Sequence, residues 1–131
     1  MLKQDYMIRM IQEILSFLIN IILQKKKFRQ QEWEEYDHLT LRILDMSTEK
    51  LLHADTEQIM EKYANDSNAF EKMELAAVYM LKLADDLGGD SLVYRAKLKQ
   101  EALQLLDYIQ KEGNTFSLSR MELINYLKKD N

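Results

Sequence analysis

A chain of 131 residues with no proline and only three glycines has few means of turning tightly. Those two residues serve most β-turns and hairpins, and a β-rich fold of this length would need many more of both. Leu, Lys, Glu, Gln, Met and Ala are abundant instead, and all of them favour helices. The fold class is therefore all-α. The length fits one domain over residues 1–131, with a core large enough to need no disulfide or structural metal. Cysteine is absent, which removes thiolate catalysis and cysteine-bound zinc and fits a reducing, cytoplasmic setting. Hydrophobic residues at 47% and charged residues at 31% are too apolar a balance for disorder. A net charge of −4 gives no long-range attraction to nucleic acid or to acidic membranes. The opening MLKQDYMIRM places Asp5 and Arg9 where a secretory signal needs an apolar run, so no signal peptide is expected.

Periodicity then divides the chain into five or six antiparallel helices joined by short connections. A first helix is predicted from Lys3 to Phe28. In QQEWEEYDHLTLRILDM, Trp33, Tyr36, Thr40, Ile43 and Leu44 recur at helical spacing. Asp55 with Gln58 makes a capping box for a short helix through Ile59, Met60 and Tyr63, and Asn68 with Glu71 repeats the pattern for a helix reaching Leu87. In that helix Phe70, Met73, Ala76, Ala77, Met80, Leu81, Leu83, Ala84 and Leu87 share an arc of roughly 160°. Gly88-Gly89 is expected to end it in a left-handed cap, with Asp90 opening the next helix. From Ser91 that helix should bury Tyr94, Leu98, Ala102, Leu105, Leu106 and Ile109 and stop at Gly113. A last helix is expected at Ser119, capped by Glu122, with Leu118 stapled onto Leu123.

The segments LAAVYMLKLADDLGGD and AKLKQEALQLLDYI, within the pair 68–87 and 90–112, resemble one unit of a tetratricopeptide repeat. The similarity covers about a third of the chain and implies a TPR-like helical hairpin. That repeat's Trp-Leu-Gly-Tyr pattern and closing proline are absent, and no second copy recurs at a fixed period. The opening MLKQDYMIRMIQEI resembles a family of small all-helical bacterial proteins of unknown function. This implies the fold and transfers no site residues.

Few residues offer catalytic chemistry. There are two histidines and no glycine-rich phosphate loop or nucleophile elbow. Glu35-Tyr36-Asp37-His38 forms an E-x-x-H, which helical di-iron proteins use twice together with further carboxylates. Here it occurs once, with Glu49 and His53 at i, i+4 spacing, and His38 falls on the solvent side of its helix. Asp85, Asp86 and Asp90 lack the alternation of a calcium loop and read as helix caps. No enzyme activity, metal or nucleotide cofactor is expected. Arg95 and Lys99 lie close on the helical wheel, but Lys97 and Gln100 diverge from them and Glu101 and Asp107 intervene. That pattern does not suit a DNA-reading helix.

The stretch ILSFLINIIL, residues 14–23, followed by KKK, carries the strongest signal of a contact surface. Ten positions, eight of them apolar, are too short for a membrane span of about 20 residues. Its helix has a polar stripe of Asp5, Arg9, Gln12, Glu13, Ser16 and Asn20 covering roughly 100°, and the remaining arc is apolar. One neighbouring helix cannot cover so much, so the helix is either central in its domain or partly covered by a second chain. The expected interaction surface is Ile14, Phe17, Leu18, Ile21, Ile22, Lys25, Lys26 and Lys27. The expected function is a helical scaffold or adaptor with a protein partner, a homodimer through the first helix being one form of it. The competing reading is a peripheral membrane protein using segment 14–29 on an anionic surface; a metal-dependent enzyme ranks below both.

Overall fold

Every residue from Met73 to Ala84 is buried, so one helix runs through the middle of the molecule with protein on all sides. In the computed structural model, which describes residues 2–24, 29–87 and 89–129, this is the fifth of seven helices. They are α1 (Leu2–Gln24), α2 (Gln30–Leu44), α3 (Thr48–His53), α4 (Thr56–Tyr63), α5 (Ala69–Asp86), α6 (Leu92–Glu112) and α7 (Leu118–Lys129). A short 3-10 turn, Gly89–Ser91, precedes α6, and no strand occurs among the described residues. Helix α5 packs against α6 as a hairpin and also against α1, α2, α3 and α4. The apolar arc anticipated for α5 is buried from Met73 to Ala84, and so is its other face: Glu74, Leu75, Val78, Tyr79 and Lys82. A helix can be covered all round only if its few polar residues find partners. Glu74 and Lys82 do, as described below.

Helix α1 is thus a flank of the core and not its axis. All six residues of its polar stripe, from Asp5 to Asn20, are exposed, while Ile11, Ile14, Leu15, Leu18, Ile19 and Ile22 are buried by the chain's own helices.

The ends of the helices separate the correct sequence expectations from the mistaken ones. The capping box of α4 forms: Gln58 N–H donates to Asp55 Oδ1 at 2.8 Å, and Asp55 N–H donates to Gln58 Oε1 at 3.0 Å. At α5 the expected Asn68 cap does not form, and Asn68 Oδ1 is buried without a partner. Asp66 orders the turn ahead of the helix instead. Its Oδ1 accepts the Asn68 N–H at 2.8 Å and its Oδ2 accepts from Lys72 at 2.7 Å. The last helix is capped by Ser117, whose Oγ accepts from Arg120 N–H at 3.2 Å, two residues before the expected Ser119. Leu118 is then left exposed and staples nothing.

No left-handed glycine occurs among the described residues; Leu87 ends α5 in an extended conformation, and Gly88 lies outside them. The left-handed residue is Asp45 (φ 53°), which closes α2 with Asp45 N–H on Arg42 O and Met46 N–H on Leu41 O. This is a Schellman ending in which aspartate substitutes for glycine.

Asp66 carries a pH prediction. Burial pushes its carboxyl up, but Lys72 and the Asn68 N–H outweigh that and hold it below the ordinary value. The native state therefore binds fewer protons than the unfolded chain. The resulting stability is complete above the unfolded value and disappears as pH falls through the folded one. Asp66→Asn is expected to cost about 1 kcal/mol at neutral pH and almost nothing once wild-type Asp66 is itself protonated. Urea unfolding of both proteins across the acid range checks it; a pH-independent difference would refute the assignment.

Candidate functional site

The expected surface on residues 14–27 divides in three. Ile14, Leu18 and Ile22 are buried core residues. Phe17 and Ile21 are half-buried, and the Phe17 ring lies 4.4 Å from that of Tyr36 on α2. Lys25, Lys26 and Lys27 fall outside the described residues. The breadth of apolar surface that suggested a second chain is thus largely met within the first. The ten-residue run, eight of it apolar, also understated the helix: Asp5–Leu23, 19 residues, is long and apolar enough by length and composition to cross a membrane. The polar residues inside that window all lie on one stripe, and averaging along the helix hides them.

Glu35 and His38 are both exposed, as the helical wheel indicated. Among the described residues no group of three His, Asp or Glu side chains is placed to hold a metal. His53 is engaged differently, with its Nδ1 lying 2.6 Å from the Tyr94 hydroxyl and tying α3 to α6. Glu101 reaches inward and caps α4, accepting from Thr56 N–H at 2.7 Å and from Thr56 Oγ1 at 2.8 Å. No local sequence signal announces a cap supplied from another helix.

Two buried polar clusters flank α5. In the first, the Tyr79 hydroxyl donates to Asp37 and lies 3.4 Å from Thr48 Oγ1, joining α2 and α3 to the central helix. Trp33 stacks on the Tyr79 ring at 6.0 Å, and Lys82 Nζ sits 4.5 Å from the centre of the Trp33 ring. Lys82 is only 4% exposed and donates to Asp86 at 2.6 Å. Burial, followed by the Asp37 carboxylate, pushes the Tyr79 hydroxyl well above its ordinary value, so it stays a neutral donor. Tyr79→Phe keeps the ring and removes the donor. It is expected to cost about 1–2 kcal/mol, read as a lower denaturant midpoint with an unchanged slope.

The second cluster centres on Arg120, 3% exposed, and Glu74, 9% exposed. Arg120 Nη1 donates to Glu74 at 3.0 Å, Nε to Gln110 at 2.7 Å and Nη2 to the Thr115 carbonyl at 2.6 Å. One guanidinium thus ties α7 to α5, α6 and the intervening loop. Burial pushes the Glu74 carboxyl up; Arg120 opposes this without cancelling it. A cleft of about 380 Å³ opens beside the pair, walled by α1, α5, Ile109 and residues 113–120. Its outer lip is Phe116, 68% exposed, next to Leu118, 61% exposed, and Met121.

The fold and these clusters define a single-domain all-α protein whose polar interior is mainly architectural. No family model, no curated protein and no solved structure matches the chain.

Proposed function

We propose that this protein is a cytoplasmic helical scaffold or adaptor that acts by protein–protein contact. The observation that carries this is the segment 116–121, where Phe116, Leu118 and Met121 stand in solvent within six residues. Tyr6, Leu92 and Val93 are exposed as well, but they do not gather three large apolar side chains within six residues, and a patch of that kind supports a contact surface. The α5–α6 hairpin supports the same reading, since paired helices of the tetratricopeptide kind serve as binding frames. The test is affinity capture from the native cell with wild type and with Phe116→Ser/Leu118→Ser. A protein retained by the first and lost by the second, at equal melting temperature, supports the reading; equal capture, or none, removes it.

A homodimer through α1 would have to use its incompletely buried apolar residues, Phe17 and Ile21 among them. Sedimentation equilibrium that finds only a 15.6 kDa species at tens of micromolar excludes it. The competing membrane reading draws on the length and composition of Asp5–Leu23. Co-sedimentation with anionic vesicles that is lost on neutralising Lys25–Lys27 would favour it.

A further inference from the structure

We propose that the cleft between α1, α5 and the start of α7 binds a small organic cation with an apolar stem, an alkylammonium in chemical class. Its volume of about 380 Å³ lies within the range of small-molecule sites. The lining is mixed: Ile8 and Leu15 of α1, Phe70 of α5 and Phe116 of the loop supply its apolar part, and Gln12, Ser16 and Thr115 are among its polar residues.

Among the described lining residues the ionisable groups are Glu71, Glu74 and Arg120. Two carboxylates against one guanidinium leave one negative charge over. Arg120 offsets one of the two carboxylates, and its three nitrogens are directed to Glu74, Gln110 and Thr115. The surplus is felt inside the cleft, where Glu71 adds to the forces holding the Glu74 carboxyl up. An excess carboxylate beside a cleft with an apolar part suits a cation that carries an apolar stem. A hard metal ion is the wrong one, since it needs six or more oxygen ligands, and Glu74 already gives Oε1 to Arg120. An ammonium needs only a few acceptors, and an alkyl stem matches the apolar part of the lining. Ser16 and Ser117, at the rim, supply further acceptors.

The probe is hexylammonium, with hexanol and hexanoate as matched controls, titrated into the full chain and followed by amide NMR shifts. Hexylammonium is expected to saturate, with shifts centred on residues 8–16, 70–74 and 113–120. Hexanol should bind about tenfold more weakly, the worth of one charge-assisted hydrogen bond, and hexanoate not at all. Glu71→Gln, at a half-exposed position, should weaken hexylammonium by a similar factor without altering the melt. Glu74→Gln serves as a second variant only if it folds. Equal binding of hexanol and hexylammonium, preference for hexanoate, failure to saturate, or indifference to Glu71→Gln would each overturn the proposal.

Discussion

Arg120→Ala is expected to destabilise the protein by about 3–5 kcal/mol, because it leaves the Glu74 carboxylate buried without its partner. The wild-type pair is not a large source of stability in itself, since desolvating both charges offsets most of their attraction. The loss comes from asymmetry. Three hydrogen bonds from one guanidinium disappear together, and Glu74 is left in a site where burial already favours its neutral form. Without Arg120 the folded-state value of Glu74 rises further above that of the unfolded chain. The native variant then binds more protons than its unfolded state, so its stability falls as pH rises through the interval between the two values. The deficit should accordingly shrink on acidification toward the ordinary glutamate range. Arg120→Met combined with Glu74→Leu should recover most of the loss, because the uncompensated charge is gone. Urea unfolding of the single and double variants at two pH values measures all three effects. A loss below about 1 kcal/mol for Arg120→Ala would mean the pair is solvated after all.

Those residues also mark the limit of what was legible in the sequence. The all-α class followed from the missing prolines, and the helices followed from apolar spacing, because both are local properties. The Asp55–Gln58 capping box was legible for the same reason, as donor and acceptor lie three residues apart. The Arg120–Glu74 pair spans 46 residues, and the Glu101 cap on Thr56 spans 45. Nothing near Arg120 distinguishes it from a solvated cation at the start of a helix. The same blindness misplaced the centre of the fold. Glu74 and Lys82 gave α5 the appearance of a half-solvated helix, although both are buried with partners. The apolar run of α1, interrupted by Ser16 and Asn20, looked more central than it is. Caps failed where a nearby side chain intervenes: Asp66 takes the N–H of Asn68 ahead of α5, and Ser117 rather than Ser119 receives an N–H of α7. Which acceptor is in place depends on how the loop arrives, and tertiary packing decides that. Of the exposed apolar residues at 116–121, the sequence reading placed only Leu118, in a local staple, whereas Ile14, Leu18 and Ile22 of its expected surface lie in the core.

Leu18→Ala tests where α1 belongs. Leu18 is fully buried by the chain's own helices, so removing its side chain leaves a cavity and is expected to cost about 2–5 kcal/mol. Phe17, half-buried against Tyr36, should cost less on truncation, about 1–2 kcal/mol. The two variants differ in a second respect. Because Leu18 is covered within one chain, its loss is unimolecular and should be the same at every protein concentration. A side chain covered by a second copy behaves otherwise, since association stabilises the folded state by mass action. If Phe17 forms such a contact, the cost of Phe17→Ala will grow with concentration while that of Leu18→Ala stays constant. Thermal melts of both variants over a hundredfold range of concentration make the distinction. A Leu18→Ala cost below about 1 kcal/mol would show that α1 is not fixed against α5 in solution and would return segment 14–29 to a membrane surface as its resting place.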